Sequence, residues 1–406
     1  MKHLFLFDVD GVLVKAGGYL RALQDTVAHF SRQMGVGEHP PTEAEVRALE
    51  AYGLTSEWDS APTCVAALLI ERLRRERGFP LPARWLEALP ALGAHPLPLP
   101  HPDYAALAAA IGARAGADQE ISQTARAVLW DAAPDLPGSQ QSAVAGLLDT
   151  LLGHPYDFDR APVMRHFQHL AIGSDGVAAT YGAAPQFECR PYLLEHDAPE
   201  LDDDVRERLR AAVAAEQIRA VIYTARPSLP PADAGGSRLG FSPEAEQALA
   251  LVRLVDWPLI GLGRLQWLEQ RTGEKASRMV KPSPVQALAA IGAAASGREA
   301  AALEAAFAFH YAGELRSPLS DLGPTTVHVF EDSPTGLAAV HRAVEALQAA
   351  GIAIDWKPYG ITPAEDAKSA AMAAQGVPIY RTVNEAVGVA LGGCGERGAG
   401  CVKRGT

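Results

Sequence analysis

The chain begins with an uninterrupted apolar run at residues 4–7, which ends in the acids Asp8 and Asp10 and in Gly11. An apolar run of this length, without alternation, is typical of a strand that is buried on both faces of a parallel sheet. Polar functional groups in such sheets lie at the carboxyl ends of the strands. The pattern therefore predicts a buried first strand whose acidic residues lie at the functional edge of the sheet.

Five later apolar segments have the same character, and stretches of helical periodicity lie between them. Strands that alternate with helices along a chain form parallel sheets with helices on both faces. We therefore expect an α/β fold with a doubly wound, Rossmann-like parallel sheet. The five segments predicted as strands are residues 219–223, 258–262, 326–330, 353–356 and 377–380, and the helical stretches include residues 203–215, 337–350 and 363–375.

The chain between the first two predicted strands has apolar residues at steps of three and four, such as Leu20, Leu23 and Val27. This spacing places them on one face of an amphipathic helix. Alternating prolines exclude helix at residues 95–102, which we interpret as a linker between helices. Residues 168–194 are glycine-rich and predict an irregular segment.

These patterns predict a core domain that is interrupted by a large insertion. The core domain comprises residues 1–15 and 200–391, and the mainly helical inserted domain comprises residues 16–199. An alanine-rich segment at about residues 297–324 predicts a second helical insertion, within the core domain. The glycine-rich residues 392–406 predict a flexible C-terminal tail.

Composition narrows the classes of function. The 406 residues include 36 basic and 48 acidic side chains, and the net charge of -12 argues against a nucleic-acid-binding protein. No apolar run reaches the roughly 18 residues that a membrane-spanning helix needs. Four scattered cysteines do not form a disulfide framework, so we expect a cytoplasmic protein in a reducing compartment. The sequence does not indicate an oligomeric state.

The acids that follow the first strand have a spacing suited to phosphoryl chemistry. Asp8 and Asp10 are two residues apart, so both side chains can point out of the same edge of the sheet. Their mutual repulsion favours a bound cation, and the pair suits a nucleophilic carboxylate beside a general acid. A surface turn is an alternative interpretation of this short motif. A calcium loop fits less well, because residues 12–14 are apolar where further ligands are needed.

A second acidic pair, Glu331 and Asp332, follows the fourth predicted strand and precedes Ser333 at the start of a helix. Oxygen ligands from Asp8, Asp10 and Asp332 at neighbouring strand ends suit an octahedral Mg²⁺ that also binds a substrate phosphate. Acids at strand ends also cap helices, and that is the alternative role for Asp332.

Two further candidates follow the second strand and precede a later helix. The Thr224 hydroxyl and the backbone amides of Ala225 and Arg226 can donate hydrogen bonds to a phosphoryl oxygen, although Thr224 also fits a simple turn. Lys281 lies in the segment 280–284, just before a helical run. Its ammonium group can neutralise charge on a phosphoryl group, whereas the alternative is a solvated loop residue.

Together these segments resemble the four motifs of the haloacid dehalogenase superfamily. The segments are Asp-Val-Asp-Gly-Val at residues 8–12, Thr224 after an apolar strand, Lys-Pro-Ser-Pro at 281–284 and Phe-Glu-Asp-Ser-Pro-Thr-Gly at 330–336. The resemblance is specific because the four motifs occur in the family's order. It covers about residues 1–15 and 200–385 and leaves most of the insertion unmatched.

The resemblance implies a role for each motif. Asp8 would be the nucleophile that forms an aspartyl phosphate, and Asp10 would protonate the leaving oxygen and then activate water. Thr224 and Lys281 would hold the phosphoryl group. Mg²⁺ would be bound by the Asp8 and Asp332 carboxylates and by the Asp10 backbone carbonyl. The residues expected to contact the substrate or support these groups are Gly11, Ala225, Arg226, Glu331 and Ser333.

The resemblance also selects among activities. Dehalogenases of the superfamily lack the acid at the position of Asp10, so the sequence resembles the phosphate-transferring members. The implied function is a Mg²⁺-dependent phosphatase that acts on a phosphorylated small molecule, with the insertion as a cap domain that is longer than usual. A phosphomutase of the β-phosphoglucomutase type and a non-catalytic phospholigand-binding protein are the alternatives. Phosphonate hydrolases of the superfamily need a Schiff-base lysine from the cap domain. This activity is set aside because no lysine lies between Tyr19 and Pro199.

Two features of the insertion are weaker candidates. Residues 53–60 place Trp58 among acids and hydroxyls, which suits a substrate-facing loop or, alternatively, a loop that ends in a helix N-cap at Ser60. His166 and His169 are three residues apart and could bind a metal on a helix, but exposed positions are the simpler expectation.

Overall fold

The structure is a computed structural model, and it describes residues 2–116, 119–133, 138–364 and 367–395. The chain divides into two compact units. One unit is the continuous segment Gly17–His196, here called the helical unit, and the other is formed by the residues on either side of it, here called the sheet unit.

The sheet unit is built on six parallel strands in the order β5-β4-β1-β6-β7-β8. A separate antiparallel pair, β2 with β3, joins the two chain segments that lead into and out of the helical unit. The strands are β1 (Lys2–Phe7), β2 (Val14–Lys15), β3 (Ala198–Pro199), β4 (Arg219–Tyr223), β5 (Leu259–Ile260), β6 (Thr325–Glu331), β7 (Ile354–Ile361) and β8 (Ile379–Tyr380).

In the helical unit, the part of the chain that the structure describes forms nine helices. They are α1 (Gly18–Gln33), α2 (Glu43–Ala51), α3 (Glu57–Arg75), α4 (Trp85–Gly93), α5 (Tyr104–Arg114), α6 (Ile121–Asp131), α7 (Gly138–Leu152), α8 (Pro162–Tyr181) and α9 (Tyr192–Glu195). Leu23, Val27 and Phe30 of α1 are buried in one apolar core together with Val65 and Leu69 of α3. The predicted mainly helical character of this segment is confirmed, and the apolar residues that the sequence places at helical spacing in α1 are buried in this core.

The described residues of the sheet unit form nine helices. They are α10 (Asp203–Ala214), α11 (Glu244–Leu251), α12 (Leu262–Thr272), α13 (Ala276–Met279), α14 (Pro284–Ser296), α15 (Glu299–Ala312), α16 (Pro334–Ala349), α17 (Ala367–Ala374) and α18 (Val383–Gly395). The alanine-rich segment near residue 300 is α15, which packs against α14.

The central strand β1 buries side chains on both faces of the sheet. Leu4 and Leu6 contribute to a core with α12 to α16, whereas Phe5 and Phe7 contribute to a second core with α10, α11 and α18. Successive side chains of a strand point to opposite faces, so a continuous apolar run is what a sheet covered on both sides requires. This arrangement confirms the predicted α/β fold with a Rossmann-like parallel sheet.

The prediction of an irregular segment at residues 168–194 is wrong for its first half. Helix α8 continues to Tyr181, with a kink at Gly173, where φ is +75°. A Cβ at Gly173 would lie 2.8 Å from the Pro191 ring, so this position requires glycine. The glycines therefore mark a bend within a helix rather than the absence of one.

Two smaller expectations for the helical unit also differ from the structure. Helix α3 begins at Glu57 with Ser56 as its N-cap, so the predicted cap at Ser60 is one turn too late. His166 and His169 are buried rather than exposed, since α8 turns them toward Phe187, whose ring stacks on His169 at 4.1 Å.

The remaining expectations concern the chain's end and the membrane. Helix α18 includes residues 392–395, which we predicted as the start of a flexible tail, and residues 396–406 lie outside the described residues. Within the described parts of the chain, none of the helices combines the length and the apolar character that crossing a bilayer would require.

Candidate functional site

The strand register brings the predicted motifs to one edge of the sheet. Phe7, the last residue of β1, pairs with Ile222 of β4 and with Phe330 of β6. The next residue, Asp8, donates its backbone N–H to the Phe330 carbonyl at 3.0 Å. Because the strands are parallel, Thr224 after β4 and Glu331 at the end of β6 lie at the same edge.

Asp8 and Glu331 are joined by the Lys281 ammonium group. The Lys281 Nζ atom lies 3.0 Å from Asp8 Oδ1 and 2.6 Å from Glu331 Oε1. It also lies 4.1 Å from the ring centroid of Tyr223, in cation–π geometry. All of these side chains are buried, so Lys281 is not the solvated loop residue that was its alternative interpretation.

Burial and the neighbouring carboxylates both raise the pKa of Asp8, whereas they act in opposite directions on the pKa of Lys281. Burial raises the pKa of Asp8, Glu331 acts in the same direction, and Lys281 lowers it, with a net pKa well above the usual value. Burial lowers the pKa of Lys281, but Asp8 and Glu331 raise this pKa by more than burial lowers it. The ammonium form is therefore strongly favoured. The carboxylates repel each other more than one ammonium group compensates.

Asp332 completes the acidic cluster. Its burial raises the pKa of its carboxyl, and Glu331 adds to this, while Lys368 at 2.9 Å lowers it. A Cβ on Gly11, where φ is +73°, would lie 2.9 Å from Asp332 Oδ2. Gly11 thus allows the turn after β1 to pass close to this carboxylate. Nothing in the pattern around Lys368 indicated a contact with the site.

Asp332 does not cap the following helix. The N-cap of α16 is Ser333, whose hydroxyl accepts a hydrogen bond from the Gly336 N–H at 3.2 Å. The same hydroxyl donates to Glu331 Oε2 at 2.9 Å. Ser333 therefore orients Glu331 as well as the helix, and the Asp332 carboxylate is left to face the acidic cluster.

Asp10 lies beside the cluster and is held by Arg226. The guanidinium Nε atom lies 3.1 and 2.9 Å from the two Asp10 oxygens, and one terminal nitrogen lies 2.9 Å from Asp197 Oδ2. Arg226 and Asp197 are buried, while the Asp10 side chain is 40% exposed. Arg226 was predicted to contact a substrate anion, but in the structure it lies in ion pairs with these two acids. Asp197 had no sequence signal.

Thr224 is buried at the end of β4, and its hydroxyl accepts a hydrogen bond from the Arg226 N–H at 3.2 Å. Ala225, between them, is exposed. The Thr224 carbonyl accepts from the side chain of Gln286, a buried residue of α14 that the sequence analysis did not select. Its only signal was a polar residue within an apolar helix.

The acidic cluster fits a small divalent cation. Among the described residues, Asp8, Glu331 and Asp332 form the one group of three potential metal ligands whose offered oxygen atoms lie within 4.8 Å of one another. Carboxylate oxygens are the ligands that Mg²⁺ prefers, and a cation among them would offset their repulsion. The fold and site thus define an α/β protein with a Rossmann-like sheet and an acidic cluster, beside a buried lysine, at the carboxyl edge.

Comparison with known proteins supports the fold alone. No protein-family model and no curated protein matches the chain. An X-ray structure from the Northeast Structural Genomics Consortium is 15% identical, with a TM-score of 0.64 over 98% of this chain and 100% of that one. The phosphatase Tt82 from Thermococcus thioreducens is 14% identical, with a TM-score of 0.45 over 96% of this chain and 99% of that one.

Proposed function

We propose that the protein is a Mg²⁺-dependent phosphatase of the haloacid dehalogenase type, acting on a phosphorylated small molecule through an aspartyl-phosphate intermediate. The observation that carries this proposal is the buried ion pair of Lys281 with Asp8 and Glu331, next to Asp332 at the carboxyl edge of the sheet. This combination supplies a nucleophile, a cation for the phosphoryl group and an acidic cluster in one place.

The proposed reaction has two halves. In the first, an Asp8 oxygen bonds to phosphorus, the bond from phosphorus to the leaving oxygen breaks, and that oxygen takes a proton from Asp10. In the second, water attacks phosphorus and gives a proton to Asp10, and the bond between phosphorus and the Asp8 oxygen breaks. This step releases inorganic phosphate and restores the Asp8 carboxylate. Arg226 contacts both oxygens of Asp10 and so fixes the orientation of this carboxylate.

Lys281 and Thr224 bind the phosphoryl group in this scheme. The Lys281 ammonium group contacts Asp8 and can follow the charge that moves onto the phosphoryl oxygens. Thr224 contributes its hydroxyl, and Ala225, which is exposed, contributes its backbone N–H. The proposed Mg²⁺ ligands are the Asp8 and Asp332 carboxylates and the Asp10 carbonyl, with Glu331 in support through Lys281 and Ser333. When bound, the cation supplies charge neutralisation at the transferring phosphoryl group.

Asp8→Asn tests the nucleophile. We expect the rate of phosphate release to fall by about three orders of magnitude or more in this variant, because the asparagine amide cannot attack phosphorus. The measurement is release of inorganic phosphate from a panel of phosphorylated metabolites, with Mg²⁺ and with a chelator. Mass spectrometry of the wild type after an acid quench should find one phosphoryl group on the peptide that contains Asp8.

Asp355→Asn is the matched control, since this exposed acid lies at the amino end of β7, opposite the site. It should release phosphate like the wild type. Turnover that survives in Asp8→Asn, or that is unaffected by the chelator, would contradict the covalent or the metal-dependent part of the proposal, respectively.

A further inference from the structure

Gln286 is a polar exception in an apolar helix. Residues 285–294 of α14 are otherwise alanine, valine, leucine, isoleucine and glycine, and they are buried against the sheet. Gln286 is itself fully buried, with 0% of its surface exposed. A buried amide is costly unless its hydrogen bonds are made, so its position in this helix needs a specific partner set.

The Gln286 amide makes three hydrogen bonds, all to backbone groups. Its Nε2 atom donates to the Thr224 carbonyl at 2.7 Å and to the Ile260 carbonyl at 3.0 Å. Its Oε1 atom accepts from the Lys281 N–H at 3.1 Å. Both donor hydrogens are therefore used, and one side chain connects the ends of β4 and β5 with the loop that precedes α14.

These backbone groups belong to the residues that carry the phosphoryl-binding chemistry. Thr224 carries the hydroxyl at the end of β4, and Lys281 carries the ammonium group that contacts Asp8 and Glu331. The two residues lie in different loops, and more than fifty positions separate them in the chain. Among the residues that the structure describes, Gln286 is the one whose side chain hydrogen-bonds to the backbone of both Thr224 and Lys281.

We propose that Gln286 is a positioning residue, which holds Thr224 and Lys281 at a fixed separation so that both reach the same phosphoryl group. This inference rests on the proposed phosphatase function and adds a determinant that lies outside the four motifs. A small displacement of either group lowers the rate of a reaction that depends on prealigned charges. An apolar side chain of the same length would fill the same volume but would leave the two loops without a common anchor.

Two substitutions separate the parts of this role. Gln286→Met keeps the length and removes all three hydrogen bonds. Gln286→Glu keeps an acceptor for the Lys281 N–H but removes the donors to the Thr224 and Ile260 carbonyls. Gln348→Met is the control, because Gln348 also donates to a strand carbonyl, that of Ile354, at the opposite end of the sheet.

The test combines kinetics with a structural readout. Hydrolysis of p-nitrophenyl phosphate gives kcat and KM, and hydrogen–deuterium exchange reports on the Lys281 N–H. For Gln286→Met we expect kcat to fall about tenfold or more, KM to change much less, and the Lys281 N–H to exchange faster. For Gln286→Glu we expect a lower kcat with the slow exchange retained. Gln348→Met should leave kcat, KM and the exchange of the Lys281 N–H unchanged.

A folded Gln286→Met protein with wild-type kcat and wild-type exchange would reduce Gln286 to a packing residue and overturn the proposal. If that variant does not fold, Gln286→Glu provides the test. Wild-type kcat in Gln286→Glu would contradict the role of the hydrogen bonds to the Thr224 and Ile260 carbonyls. Activity that persists in Asp8→Asn instead refutes the aspartyl-phosphate mechanism on which this inference rests. Activity that depends on Asp8 but not on Gln286 refutes the positioning role alone.

Discussion

Asp59, near the start of α3, is a carboxylate buried inside the helical unit. Its Oδ2 atom accepts a hydrogen bond from the Tyr156 hydroxyl at 2.5 Å, while its Oδ1 atom has no hydrogen-bond partner among the residues that the structure describes. Burial raises the pKa of Asp59 from 3.8 to about 6, although the Tyr156 hydrogen bond lowers it. The folded unit therefore binds this proton more tightly than the unfolded chain does between about pH 4 and pH 6.

Asp59→Asn should stabilise the helical unit at neutral pH. Because the folded-state pKa is raised, the contribution of Asp59 is favourable below about pH 4 and is lost as the pH rises through about 6. Asparagine keeps an acceptor for Tyr156 and carries no charge. We expect about 1–2 kcal/mol of added stability at pH 7.5 and almost none at pH 4, measured by calorimetric unfolding at both values.

Asp175→Asn is the control, since Asp175 is an exposed acid of α8 in the same unit. It should change stability little at either pH. An equal effect of Asp59→Asn at pH 4 and pH 7.5 would mean that its charge is not the cause. His166 also affects stability at acid pH. Burial lowers its pKa to about 3, so its contribution to the stability of the folded unit is lost as the pH falls below about 6.5.

At the scale of the element, the start of α16 both ends β6 and orients part of the site. Ser333 caps the helix and binds Glu331, and Gly336 leaves room for that carboxylate, which a Cβ at this position would overlap. In the sequence Glu-Asp-Ser-Pro-Thr-Gly, Glu331 ends the strand, Ser333 caps the helix, and Gly336 leaves space for the Glu331 carboxylate. The hydrogen bonds at this helix N-terminus therefore fix the side chains of Ser333 and Glu331.

Ser333→Ala should cost more stability than an ordinary cap. Removing a serine cap costs about 1 kcal/mol, and here the buried Glu331 also loses a donor, so we expect about 2 kcal/mol. The matched control is Ser283→Ala, which removes the cap of α14 without a carboxylate partner. Urea unfolding of both variants gives the comparison. Equal losses would mean that the hydroxyl contributes only through the helix.

At the scale of the whole molecule, the chain folds as two units that each have their own core. The apolar cluster of the helical unit contains only residues between 22 and 193, and the two clusters of the sheet unit contain none of these. Gly17 lies against the His196 carbonyl, so the two ends of the helical unit meet. Adjacent termini and a separate core are typical of an inserted domain that can fold alone.

The isolated segment Gly17–His196 should therefore fold. We expect a helical circular dichroism spectrum and a single cooperative thermal transition, because its core is complete within the segment. Introducing Asp59→Asn into the fragment should again raise the transition temperature at pH 7.5. A fragment without a cooperative transition would show that its stability depends on the rest of the chain.

The sequence by itself determined the elements and the edge of the sheet at which the acids lie. Continuous apolar runs such as residues 4–7 have one favourable environment, a strand covered on both faces, and parallel strands bring Asp8, Thr224 and Glu331 to a common edge. Most strands and helices of the sheet unit follow from this periodicity. The glycine-rich half of α8 did not, because glycine marks a bend as readily as a loop.

Only the tertiary structure decided which charges pair. Arg226 binds Asp10 and Asp197, Lys281 joins Asp8 to Glu331, and Gln286 anchors two distant loops. Ion pairs and buried amides depend on distances between residues that are far apart in the chain, and no local pattern encodes such distances. Periodicity specifies where a side chain points, whereas its partner is chosen by the packing of elements around it.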